Sequence, residues 1–102
     1  MVYPLHQLLE RIARGLEDSG IPYMIIGGQA VLLHGEPRFT EDIDVTLGVA
    51  PDSLGSVLKL VRHWNWRISV EPVEEFVRRT MILPCVEPQS GIRVDFVFSF
   101  SP

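Results

Sequence analysis

The chain has 102 residues, is 46% hydrophobic and carries a formal charge of −4. That length provides for one hydrophobic core and excludes two. No apolar run reaches the ~18 residues of a membrane-spanning helix, the N-terminal stretch carries acids throughout and lacks the apolar centre of a signal peptide, and no basic stripe marks a dedicated nucleic-acid binder.

Leu5, Leu8, Leu9, Ile12 and Leu16 recur at helical spacing with Glu10, Arg11, Arg14 and Glu17 between them, which predicts an amphipathic helix. Ser19-Gly20 ends it, and Pro22 blocks its continuation. Tyr23-Met24-Ile25-Ile26, bounded by Pro22 and Gly27, predicts a buried strand. Gln29 to His34 then reads as a short helix closed by Gly35, and Glu36 to Glu41 as a polar loop around Pro37. Asp42 to Val49 alternates polar and apolar residues with strand periodicity. Pro51-Asp52-Ser53 opens a helix with Leu54, Val57, Leu58 and Val61 on its inner face. Trp66 to Val70 is read as a strand, and Pro72 to Arg79 as a helix with Val73, Phe76 and Val77 as its apolar positions. Met81 to Val86 and Ile92 to Phe98 predict two strands joined by the turn Glu87-Pro88-Gln89-Ser90-Gly91. The chain stops at Phe100-Ser101-Pro102, straight after a strand.

Three features carry chemistry. The first is the junction Ile26-Gly27-Gly28-Gln29, where a strand meets two glycines and the expected helix. Glycines let a phosphate approach the backbone, and a helix N-terminus offers free N–H groups and a positive dipole end. The same pair also serves plain steric needs in many strand-to-helix turns. The second is Asp42-Ile43-Asp44, whose two carboxylates project to one face of a strand while Ile43 and Val45 go to the core. Like charges side by side repel, so such a pair either shares a cation or sits at a solvated strand end. The third is Asp95 in the apolar run Arg93-Val94-Asp95-Phe96-Val97-Phe98, where an unpaired carboxylate is costly. Partnership with Arg93, or exposure on an edge strand, would also account for it.

Taken together, Gly27-Gly28-Gln29-Ala30, His34-Gly35, Arg38, Thr40, Asp42-Ile43-Asp44 and the later Asp95 resemble the DNA polymerase beta-like nucleotidyltransferase superfamily, and within it the bacterial group of AbiEii-type abortive-infection toxins. The resemblance spans Tyr23 to Phe98. It implies an α/β (α+β) nucleotidyltransferase fold, a mixed and largely antiparallel sheet flanked by helices, in one domain over residues 1–102. Gly27 and Gly28 match the glycine pair that cradles the triphosphate, Asp42 and Asp44 match two acids that bind both metals, and Asp95 matches the third acid. In the superfamily that third acid binds the catalytic Mg²⁺ (or Mn²⁺) and is the candidate to take the proton of the attacking hydroxyl. Gln29, Arg38 and Thr40 join the nucleotide-binding set, Arg38 as a phosphate contact or a brace for the carboxylates and Thr40 chiefly as a loop cap. Two departures stand out. Many superfamily members have Ser where this chain has Gln29, and longer relatives continue into a helical segment with a lysine and further acids, so the domain is expected to be cut short at its C-terminus.

Other residues read as structural. His34 is expected at a helix end, Trp64 and Trp66 as core or interface anchors rather than base-stacking platforms, and Cys85 as a buried small hydrophobe. The lone cysteine forms no internal disulfide, which suits a cytoplasmic protein, and no Cys/His cluster has zinc spacing. The expected function is therefore metal-dependent transfer of a nucleoside monophosphate from an NTP to a hydroxyl of a tRNA, a protein or a small molecule. The competing reading is a non-catalytic nucleotide-binding or antitoxin module that acts with a protein partner.

Overall fold

The computed structural model describes residues 5–27, 30–33, 36–39 and 42–99. Helix α1 covers Leu5–Asp18 and buries Leu8, Ile12 and Leu16 on one stripe. Its end is a Schellman cap: Gly20 takes a φ of 70°, the Ile21 amide donates to the Leu16 carbonyl at 2.9 Å and the Gly20 amide to Glu17 at 3.1 Å. Strand β1, Tyr23–Gly27, follows. Next come β2, Ala30–Leu33, and β3, Glu36–Phe39, and then β4, Asp42–Leu47. A 3-10 turn at Pro51–Ser53 leads into α2, Leu54–His63. This helix closes with a second Schellman cap, on Asn65 at a φ of 60°. Strand β5 is Arg67–Ile68, α3 is Val73–Thr80, β6 is Ile82–Glu87 and β7 is Ile92–Val97.

Five strands form one open sheet in the order β1-β4-β7-β6-β5. Only β4 and β7 run parallel; β1–β4, β6–β7 and β5–β6 are antiparallel. The architecture is thus the expected mixed α/β one, with a largely antiparallel sheet compatible with the nucleotidyltransferase fold. The strands holding Tyr23, Asp42 and Ile92 are neighbours in this sheet.

Apolar residues fix which way this sheet faces. Ile43, Val45 and Leu47 of β4, Val94 and Phe96 of β7, and Leu83 and Cys85 of β6 are buried in one cluster with the inner stripes of α1, α2 and α3. Full burial of each Val, Leu, Ile or Phe is worth roughly 1.5–3 kcal/mol. A one-residue slip of β4 would expose Ile43, Val45 and Leu47 and drive Asp42 and Asp44 into the core. Hydrophobic burial on the helical side therefore holds the acids on the other side, which no described helix covers.

Three expectations need correction. Residues 30–33 form a strand, not part of a helix over Gln29 to His34, and they pair antiparallel with residues 36–39, which were expected to be loop. The six residues between Gly28 and Gly35 are too few to offset the cost of helix nucleation, whereas Val31-Leu32-Leu33 suits a strand, and Pro37 is tolerated because a two-stranded sheet has only edges. The contribution of a helix N-terminus at Gln29 therefore drops out. Second, β1 is not buried on both faces: Met24 is 61% and Ile26 53% exposed, since every described helix packs on the opposite side. Third, the strand expected over Trp66 to Val70 shrinks to Arg67–Ile68, because Trp66 is the residue that completes the α2 cap.

Candidate active site on the open sheet face

Asp42 and Asp44 project from β4 on alternate positions and are exposed, while Ile43 and Val45 between and after them are buried. In the parallel β4–β7 ladder, Asp42 lies opposite Arg93 and Asp44 opposite Asp95. Residues paired across a ladder share a face, so three acids and one arginine converge on the open side. Ile26 stands opposite Asp44 on the other flank, and Met24 opposite Thr46. Across from Asp95 on β6 is Pro84, with Val86 beside Arg93.

The four charged groups differ in environment. Asp42 and Arg93 have side chains 61% and 56% exposed, but Asp95 is only 17% exposed. The Arg93 Nε lies 3.8 Å from Asp42 Oδ1, and its Nη2 lies 3.5 Å from Asp95 Oδ2. Asp95 Oδ1 is buried and has no hydrogen-bond partner among the described residues. Burial pushes the Asp95 carboxyl above its ordinary range; the Arg93 charge opposes this, and the charges of Asp44 and Asp42 add to it. An acceptor-only oxygen in this position calls for a cation or a donor. The donor chemistry of the set, all carboxylate oxygen, fits a hard divalent cation. Among the described residues, however, no three carboxylate, histidine or cysteine side chains are already drawn together into a cage. Mutual repulsion of three carboxylates, with one guanidinium between two of them, accounts for that spread.

The remaining candidates fare differently. Gly27 ends β1 and pairs with Ile43, so it borders the acids. Gly28, Gln29, Thr40 and His34 lie outside the described residues. Arg38 belongs to β3 and pairs with Val31, not to a loop before Asp42, and its side chain is outside what is described. Trp64 and Trp66 pack on one another with ring centroids 4.5 Å apart, and Trp66 stacks on Phe96 at 6.5 Å. Phe96 belongs to the core cluster, so neither ring serves the acid face. Two grooves, of about 580 and 630 Å³, are lined by α1 and α2 residues and by α2 and α3 residues, and neither includes an acid of the candidate site. Cys85 is buried as expected, and burial, with a smaller effect of the Asp95 charge, pushes its thiol up to about 12.

Sequence reasoning underrated Arg93 and missed the exposure of Met24 and Ile26. The signal for Arg93 was available: it precedes Asp95 by two positions and so shares its face. The exposure of β1 had no signal, because an unbroken apolar run looks the same whether one face or both are covered.

The chain matches the family model described as nucleotidyl transferase AbiEii toxin, type IV toxin–antitoxin system, over residues 7–101. No curated protein and no solved structure matches it. No described helix is long and apolar enough to cross a membrane.

Proposed function

The chain belongs to the AbiEii nucleotidyl transferase toxin family, and from that premise we propose that its open sheet face transfers a nucleoside monophosphate from an NTP to a hydroxyl acceptor with the help of divalent metal. One observation carries this reading: Asp44 and Asp95 stand opposite one another on parallel strands, with Asp42 beside them on the same face. Three carboxylates held together by the packing of their strands, with a single arginine loosely beside two of them, suit a polyvalent cation.

Asp42, Asp44 and Asp95 would hold Mg²⁺ or Mn²⁺ together with the triphosphate oxygens. When bound, such ions neutralise the triphosphate and make an acceptor hydroxyl more acidic. The chain's own contribution is placement. Strand β4 fixes two carboxylates and β7 the third, so the phosphate is oriented against a rigid sheet. Asp95, partly shielded and shifted upward by burial, is the residue placed to accept the proton of the hydroxyl nucleophile. Gly27 and Gly28 would let the triphosphate pass close to the backbone, with Gln29, Arg38 and Thr40 as the further nucleotide contacts. A type IV toxin is expected to act alongside an antitoxin protein, and the site reading favours the toxin role over a binding-only module.

The test is incubation of the purified protein with each α-labelled NTP, Mg²⁺ or Mn²⁺, and tRNA, protein or small-molecule acceptors. Label should move to one acceptor class from the parent protein and not from Asp44→Ala. Transfer undiminished by Asp44→Ala, or by omission of divalent metal, would overturn the assignment.

A further inference from the structure

We propose that Arg93 is an internal stand-in for the metal: it bridges Asp42 and Asp95 until metal and nucleotide arrive together, and then turns to the triphosphate. The proposal rests on the metal–nucleotide reading of the acids given above. Three observations carry it. The register places Arg93 opposite Asp42 and two residues before Asp95, so one guanidinium reaches both ends of the cluster. Its contacts are loose, at 3.8 Å to Asp42 and 3.5 Å to Asp95, where a tight charge-assisted bond measures about 2.7–2.9 Å. And with a side chain 56% exposed it can swing away at small cost, because ion pairs between exposed partners are weak.

The surroundings support displacement rather than permanent pairing. One guanidinium cannot neutralise three carboxylates, so the cluster keeps a net negative charge with Arg93 in place. Asp95 offers Oδ2 to Arg93 while its buried Oδ1 has no partner among the described residues. The neighbouring strand β6 presents Ile82, Pro84 and Val86 on this face, which compete for neither the acids nor the arginine. A guanidinium freed from carboxylates is suited to a triphosphate, whose oxygens it can grip in pairs. Arg93 is thus a positioning residue that ties metal binding to nucleotide binding: metal alone must expel it with nothing to receive it, whereas a metal nucleotide supplies its new partner.

The experiment is titration of Mn²⁺ into the parent protein and into Arg93→Gln, by calorimetry or by the spin signal of free Mn²⁺, each with and without a non-hydrolysable NTP analogue. Melting in chelator verifies that the variant is folded, with Arg93→Ala as a second neutral variant. Removing a positive charge next to the ion should make Mn²⁺ alone bind about tenfold more tightly, and the analogue should then improve Mn²⁺ affinity less than it does in the parent. Arg93→Lys should behave like the parent toward Mn²⁺ alone. If both proteins bind Mn²⁺ with the analogue but the neutral variants bind Mn²⁺ alone no better than the parent, the stand-in role is wrong and the metal site survives. If neither binds Mn²⁺ under any condition, the metal site itself is wrong and the stand-in role goes with it.

Discussion

Asp44 and Asp95 are direct partners across the one parallel strand pair of the main sheet. In an ordinary sheet, like charges directly opposite each other destabilise the pair. Here the apolar residues on either side of each acid are buried, Ile43 and Val45 on β4 and Val94 and Phe96 on β7, and their burial outweighs the repulsion. The core thus maintains on the open face an arrangement that the acids alone would not adopt.

Relief of that repulsion gives the first prediction. Asp95→Asn should leave stability in chelator unchanged or raise it by up to about 1 kcal/mol, since burial and two neighbouring carboxylates already disfavour the ionised form. Mn²⁺ binding in the presence of an NTP analogue should be lost from the same sample. A clear fall in melting temperature would make Asp95 a structural residue held by Arg93.

Asp42→Ala and Asp44→Ala should each abolish nucleotidyl transfer while changing stability by no more than about 0.5 kcal/mol, because both side chains are exposed on the open face. Denaturant melts in chelator beside a transfer assay make the comparison. A loss of several degrees with activity retained would reverse the roles assigned to these acids.

Periodicity makes part of the acid face legible, and the resemblance to the nucleotidyltransferases supplies the rest. Asp42 and Asp44 share a face because strand residues alternate, and Asp95 turns away from the core because Val94 and Phe96 fill it, but it is the resemblance that joins Asp95 to the pair. What periodicity could not supply is which face the helices cover, so Met24 and Ile26 came out exposed against expectation. Nor could it decide Ala30 to Leu33, where four apolar residues fit a helical turn or a strand equally well and antiparallel pairing with Glu36–Phe39 made the choice. The ion pairs of Arg93 depend on the parallel register of β4 with β7, which is a tertiary fact and not a local one.

The turn that aims β7 rests on one buried carboxylate. Glu87 is 3% exposed and accepts the amides of Gln89 at 2.9 Å and Ser90 at 2.8 Å, and the Ser90 hydroxyl at 2.7 Å. Bonds to a charged acceptor contribute about 1.5–3 kcal/mol each before non-additivity, and these three are part-buried. Glu87→Ala should therefore cost about 2–4 kcal/mol and lower the melting temperature by roughly 10–20 °C. Glu87→Gln, which keeps the shape and part of the bonding, should fall between. A melt of Glu87→Ala indistinguishable from the parent would show that the turn is set by Gly91, at a φ of 75°, and by strand pairing alone.

The Cys85 thiol gives a pH dependence whose sign is fixed by burial. Its folded-state pKa of about 12 lies above the ~8.5 of an unfolded cysteine, chiefly through burial and secondarily through the Asp95 charge. The folded protein therefore favours the neutral thiol. The corresponding stability is fully present below about pH 8.5 and is lost as the pH rises from there towards 12, with a limiting slope of about 1.4 kcal/mol per pH unit for one proton. Urea unfolding at pH 7, 8, 9 and 10 should show a decline above pH 8.5 that is shallower in Cys85→Ala. Tyr23 and the other alkaline groups titrate in both proteins, so the difference between the two curves isolates Cys85. Native-state alkylation offers an independent check: iodoacetamide should label Cys85 only as fast as the strand opens, and urea should accelerate labelling sharply. Rapid labelling at pH 8 without denaturant, or parallel stability curves for parent and Cys85→Ala up to pH 10, would mean that the thiol reaches solvent from the folded sheet.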